Sequence, residues 1–188
     1  MPAVFNFIQN LLLFYSQRAL TYQKPLMNEK SARLGGIYVH IPYCVRKCPY
    51  CDFYSHVDHS SIPLFLEALE REIEMVGGIG LAFDTLYFGG GTPSVLGPEV
   101  LARIIETVRR HFTFSTDVET TLEVNPGTVS RESFAAYRRA GVNRLNIGVQ
   151  SFHDDNLKFL GRIHSAGDAI SSIDWARRAG FDNIGLDL

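Results

Sequence analysis

Cysteine is scarce in this sequence. The 188 residues hold three, and Cys44, Cys48 and Cys51 all fall within eight consecutive positions, "CVRKCPYC". An odd count with none elsewhere excludes a disulfide framework. An excess of positive charge is also missing: 18 Lys and Arg stand against 20 Asp and Glu, for a formal net charge of −2. With the basic residues scattered, no stripe matches a phosphate backbone, so nucleic acid is not an expected partner. No apolar run is long enough to cross a bilayer, and no positive segment and apolar core mark an export signal. The glycine triplet in "GGGTPS" lacks the Gly-Lys-Ser/Thr of a phosphate-binding loop.

What is present is an ordinary globular composition, 46% hydrophobic and 20% charged, sufficient for one substantial core. The first 35 residues differ from the rest. "FNFIQNLLLFYSQRAL" has Phe5, Ile8, Leu12 and Tyr15 at helical spacing, which predicts a helix docked on the domain or lying on a surface. Alternatively Met27 is the true start, and residues 1–35 are an N-terminal extension to a core domain over 36–188.

From Gly36 onward strand and helix signals alternate. "GIYVHIP" is a strand leading into the cysteines, and Ser61 to Val76 is an amphipathic helix. "DTLYFGGGTPS" is a strand and glycine loop, and Pro98 to Phe112 a helix with proline at its start. "ETTLEVNPG" is the third strand. "SRESFAAYRRAG" is a helix opened by Ser130 and closed by Gly141. "RLNIGVQS", a short helix near Asp155 to Leu160, a helix over Ala166 to Ala179 and the strand "NIGLDL" complete the series. This cadence predicts an α/β fold, a parallel sheet wrapped by helices, in the form of a partial (β/α) barrel truncated after about the fifth strand. In such barrels chemistry collects at the C-terminal strand ends, where the cysteines, "GGGTP", "EVNPG" and "GVQS" all lie. Ending on "GLDL" leaves a buried-type strand at an edge, so the core domain is expected to be C-terminally incomplete.

The C-x-x-x-C-x-x-C spacing, with Pro42 before it and Pro49 inside it, predicts a wrapping loop. Three readings of its thiols compete. His56 or His59 could complete a Cys3His zinc site; the cysteines could be unliganded in a packed turn; or they could hold three irons of a cubane whose fourth iron takes an exchangeable ligand. Glu123, between Leu122 and Val124 in an apolar strand, should be paired or bind a ligand.

"CVRKCPYC" resembles the cluster motif of the radical S-adenosylmethionine superfamily. Together with "YVHIPYCVRKCPYCDFYSH", "LYFGGGTPS", "EVNPGTV", "RLNIGVQSF", "LGRIHS" and "NIGLDL", it resembles the oxygen-independent coproporphyrinogen III oxidase-like proteins, particularly their heme chaperone HemW branch, from about Gly36 to Leu188. The resemblance implies a [4Fe–4S] cluster on Cys44, Cys48 and Cys51, with S-adenosylmethionine chelating the open iron. It implies contacts to that cofactor from Tyr38, Tyr50, Gly90, Gly91, Thr92, Glu123, Gln150, Arg162 and Asp187. Against these stand plainer roles: Tyr38 and Tyr50 as aromatic core, the glycines as a turn, and Arg162 in a surface ion pair. Phe53 occupies the position where the oxidase motif carries a further cysteine. This favours a cytoplasmic heme chaperone, with heme as cargo and a heme-acceptor protein as partner, over the alternative, a radical decarboxylase of coproporphyrinogen III.

Overall fold

The computed structural model describes residues 11–14 and 34–188. Among the described residues six strands form one open sheet in sequence order: β1 (Leu11–Phe14), β2 (Gly35–Ile41), β3 (Ala82–Gly90), β4 (Thr113–Val124), β5 (Arg144–Gly148) and β6 (Asn183–Asp187). β2 to β6 run parallel. The helices α1 (Ile62–Val76), α2 (Gly97–His111), α3 (Arg131–Arg139) and α5 (Ala166–Arg178) connect them, with a short α4 (Asp154–Phe159) before α5. The expected α/β partial barrel is thus the architecture observed.

The segment expected as an N-terminal helix is corrected. Leu11–Phe14 is a strand antiparallel to β2, pairing Leu11 with Val39 and Phe14 with Gly36. A parallel sheet leaves the backbone of its first strand unpaired on one side, and this run supplies the missing partners. The remainder of the expected helix, and Met27 as a start, lie outside the described residues.

Period-two alternation divides the sheet into two chemically different faces. Ile37, Val39 and Ile41 of β2, Leu86 and Phe88 of β3, Leu122 and Val124 of β4, and Leu145 and Ile147 of β5 are all buried in one core cluster. The helices close over them with Phe65, Leu69 and Ile73 of α1, Leu101, Ile104, Ile105 and Val108 of α2, and Phe134 of α3. The opposite face carries Tyr38, Tyr87, Glu123, Asn146 and Asp187. The register places Tyr38 opposite Tyr87, Glu123 opposite Asn146, and Gly148 opposite Asp187. β4 begins at Thr113, six residues before the expected Glu119. Its early part pairs at Ala82 and Phe83 before the register slips between Phe83 and Thr85.

Local signals set the helix ends. Ser130 and Ser133 form a capping box at α3, and Ser165 and Asp168 form another at α5. Gly141 and Gly180 follow α3 and α5 at φ of 97° and 87°, where any side chain would be strained. Ser61 precedes α1 but caps nothing; its hydroxyl lies 3.0 Å from that of Tyr43. Removing the α5 cap by Ser165→Ala should cost about 1 kcal/mol, seen as a fall of roughly 2–4 °C in Tm. An unchanged Tm would show that packing alone fixes this helix end.

Candidate functional site

The loop from β2 to α1 crosses the C-terminal end of the sheet and is pinned there by backbone hydrogen bonds. Gly91 N donates to Ile41 O at 2.8 Å and Thr92 N to Tyr43 O at 2.7 Å. Cys44 N donates to His56 O, and His56 N to Pro42 O, each at 3.0 Å, closing the loop on itself. Tyr43 is its anchor, fully buried with its ring packed edge-on against Phe65 of α1 and against His56.

This loop and the strand ends enclose a cleft of about 440 Å³. Cys44, Cys48 and Cys51 line it, all with free thiols. Thr92 Oγ1 donates to Cys44 Sγ at 3.5 Å, and Arg162 Nη1 to Cys48 Sγ at 3.6 Å. Among the described residues no group of three or more His, Cys, Asp or Glu side chains is gathered to hold a single metal ion. Both candidate zinc histidines are engaged with backbone: His56 Nδ1 lies 3.0 Å from Asp58 O, and His59 Nε2 lies 3.1 Å from Cys44 O. Among the described residues the ligands of a Cys3His zinc centre are thus not gathered about one point. A cubane bonds each thiolate to a different iron and has no need for them to converge on one ion.

Tyr50, Gly90, Gly91, Thr92, Glu123, Gln150, Arg162 and Asp187 line the same cleft. Tyr38 does not; it lies behind the strand ends, its ring stacked on Tyr87 at 5.7 Å. Arg162 reaches across from the turn after α4. It donates to Gly148 O at 2.9 Å and to the Tyr50 hydroxyl at 3.3 Å, and its buried Nε has no partner. Among the described residues it has no ion-pair partner. Gln150 adopts φ 64°, a left-handed conformation costing a non-glycine residue about 1–3 kcal/mol, and its N–H donates to Asp187 O at 2.7 Å. Asp187 is exposed at the sheet edge, its carboxylate accepting both contacts of the Asn146 amide at 2.9 and 3.0 Å. Burial raises the Tyr50 hydroxyl above its ordinary value, against the opposing pull of Arg162.

Each glycine of the triplet is required for a different reason. A Cβ on Gly89 would meet the Tyr38 and Tyr87 rings at 2.9 Å, one on Gly90 the His40 ring at 2.5 Å, and one on Gly91 Tyr43 O at 2.7 Å. Gly90 also has φ 109°. Any side chain at 90 therefore disturbs the fold whether or not a ligand binds there.

Asn125 and Asn146, with Arg46 and Lys47, also line the cleft and were not singled out in the sequence. Asn146 had a legible signal, since it interrupts "LNI" as Glu123 interrupts "LEV". The polarity is uneven: Arg46, Lys47 and Arg162 lie with the cysteine loop and its facing turn, and Glu123 and Asp187 at the strand ends.

His164, buried beneath the cleft, sits between two strand ends. Its Nε2 donates to Val149 O at 3.1 Å, and its Nδ1 lies 3.2 Å from Asn125 Oδ1. Burial, aided by the Arg162 charge, holds its pKa below the ordinary 6.5, against the raising effect of the Val149 carbonyl. The unfolded chain therefore takes up a proton that the folded one resists, so stability falls as pH drops below about 6.5. Urea unfolding at about pH 7.5 and about pH 5.5 should show this loss, and His164→Gln should shrink the difference. Equal pH dependence in both proteins would place its source elsewhere.

The comparisons with known proteins agree with this geometry. The model of the radical SAM superfamily matches residues 38–188. A Haemophilus influenzae protein named heme chaperone HemW is 40% identical over 160 residues, covering 81% of this chain and 42% of that protein. A Bos taurus protein, radical S-adenosyl methionine domain-containing protein 1, mitochondrial, is 37% identical over 158 residues, covering 82% and 36%. Coproporphyrinogen III oxidase (HemN) from Escherichia coli, described as a radical SAM enzyme, superimposes with a TM-score of 0.75 at 31% identity, over 80% of this chain and 36% of that one. The chain thus spans about two fifths of the length of the curated relatives it matches. Among the described residues no helix is long and apolar enough to cross a membrane. The matched residues run from the polar face of β2 through every strand end at the cleft, and the chain belongs to the radical SAM superfamily.

Proposed function

We propose that this chain is the cofactor-binding domain of a heme chaperone, which binds heme and passes it to an acceptor protein. In this reading Cys44, Cys48 and Cys51 hold a [4Fe–4S] cluster, and S-adenosylmethionine binds beside it. The observation that carries the proposal is the donor set of the cleft: three free thiols, with Phe53 at the lip in place of a fourth.

The residues present suit both groups. Hydroxyl and guanidinium donors already reach the sulfurs of Cys44 and Cys48, as hydrogen bonds that tune a thiolate-held cluster do. The cleft's charges complement a zwitterionic nucleoside. Arg162, with its unpartnered Nε, suits an anionic oxygen, and Glu123 and Asp187 suit a cationic centre. Gln150 and Asn146 add amide donors and acceptors. When bound, the cluster would supply a one-electron reductant; the protein's part is to hold, orient and shield. The free thiols suit a reducing compartment, and we place the protein in the cytoplasm.

Phe53 separates the chaperone from the decarboxylase. Its side chain is 66% exposed at the cleft, and a phenyl ring offers neither the acidic hydrogen nor the ligating sulfur of a thiol. Tetrapyrrole chemistry at this lip is accordingly binding rather than bond cleavage.

Anaerobic reconstitution should load about four irons per chain, and Cys48→Ala should abolish this. One tightly held zinc without labile sulfide would overturn the cluster assignment. Added S-adenosylmethionine should change the electron paramagnetic resonance spectrum of the reduced cluster. The full-length protein should retain heme through gel filtration. Given coproporphyrinogen III, reductant and S-adenosylmethionine, it should leave both propionates intact by mass spectrometry. Decarboxylation above a cluster-free control would move the assignment to the oxidase.

A further inference from the structure

Tyr87 lies one layer beneath the cleft, on the polar face of β3. Its hydroxyl donates to Glu123 Oε1 at 2.8 Å, and Gly90 N donates to Glu123 Oε2 at 3.2 Å. Each carboxylate oxygen thus has one protein donor, and the remaining lone pairs of about four are left for the cleft that Glu123 lines. The Tyr87 ring is held by its stack on Tyr38, at 5.7 Å and 20° between planes. Room for both rings depends on Gly89, where a Cβ would approach Tyr38 Cε2, Tyr38 Oη and Tyr87 Cε1 to 2.9 Å. Three of the four positions of "YFGG" therefore serve one carboxylate: Tyr87 donates to it, Gly89 admits the donor's ring, and Gly90 supplies the second donor.

We propose that Tyr87 is a positioning residue that holds the Glu123 carboxylate, charged and directed into the cleft, for the cationic or hydroxyl-bearing part of the nucleoside cofactor. The inference rests on S-adenosylmethionine binding in this cleft. Burial first, and the Asp187 charge as well, push the Glu123 carboxyl toward its protonated form; the Tyr87 hydroxyl and the Gly90 N–H oppose this. The other titratable groups facing the pair are Tyr38 on β2, whose pKa burial and the Glu123 charge raise to about 12, His40 on β2, whose ring lies against Gly90 and 3.4 Å from the Tyr38 hydroxyl, Asp187 on β6, and Arg144 on β5, which acts on Tyr87. Tyr38 and Tyr87 both stay protonated through neutrality, and Tyr87 remains a donor throughout. Without it Glu123 keeps one donor, becomes easier to protonate, and loses the charge that a cationic ligand meets.

The test is equilibrium binding of S-adenosylmethionine to the cluster-loaded protein, from mildly acidic to neutral pH, for wild type, Tyr87→Phe, Glu123→Gln and the double variant. Tyr87→Phe preserves the ring and its stack, and should keep the wild-type iron content and circular dichroism. It should weaken binding roughly tenfold near neutrality, the scale of one hydrogen bond to a charged group, and move the acid-side loss of affinity to higher pH. In the Glu123→Gln background the same change should do nothing further. Wild-type affinity with an unmoved acid limb in Tyr87→Phe would overturn the proposal, as would an equal weakening in both backgrounds, which would mark Tyr87 as structural only. Absence of binding by wild type itself would instead overturn the cofactor reading on which the proposal rests.

Discussion

The site depends on one seam, where the end of β3 meets the cysteine loop backbone to backbone. Gly91 and Thr92 donate to the carbonyls of Ile41 and Tyr43, at a distance that leaves no space for a side chain at 91. Parallel strands end side by side, so a loop leaving one strand can be fixed by the end of the next. Here that fixing brings Thr92 to Cys44 and sets the cysteines over the remaining strand ends. Opposite, Gly161 allows the turn after α4 to pack on Pro49, where a Cβ would come to 2.9 Å, and Arg162 follows within reach of Cys48 and Tyr50. The loop is held from two sides by positions that tolerate no side chain.

The two faces of the sheet solve different problems. One is continuous apolar surface under helices, and it supplies the stability. The other carries tyrosines, amides and carboxylates, each of which must be satisfied to be tolerated away from water. Glu123 is satisfied by Tyr87 and Gly90, Asp187 by Asn146, and His164 by Val149. Arg162 Nε is an exception at the cleft, a buried donor without an acceptor among the described residues. A face of this kind is preorganised: its groups are oriented by the protein before any ligand arrives, and binding need not order them.

Several residues show how far such features were legible in advance. The alternation in "TLEV" marked Glu123 as a charge needing a partner, and the partner proved to be Tyr87, 36 positions away. The glycine triplet was legible as a close approach, though what approaches is largely protein: tyrosine rings, an imidazole and a backbone carbonyl. Asp187 was marked as an interruption of the apolar "GLDL", and its carboxylate is taken up by the Asn146 amide, 41 positions away. Leu11–Phe14 lies within a segment whose helical spacing, Phe5, Ile8, Leu12 and Tyr15, misled; four apolar residues in a row fit either period, and the open edge of β2 decides between them.

From Gly36 onward the order of strands and helices, the ends of α3 at Ser130 and Gly141 and the three-thiol motif followed from the sequence alone. These depend on periodicity, turn chemistry and ligand count, all of which act over a few neighbouring residues. The tertiary structure decided which side chains share the cleft, that Tyr38 stands behind it rather than in it, that Arg162 reaches Cys48 from 114 positions away, and that Tyr87, Asn146 and His164 support the groups the motifs had marked. Those relations depend on strand register and on which turns pack together, and a hydrogen bond across such a distance leaves no periodic trace in either of the segments it joins.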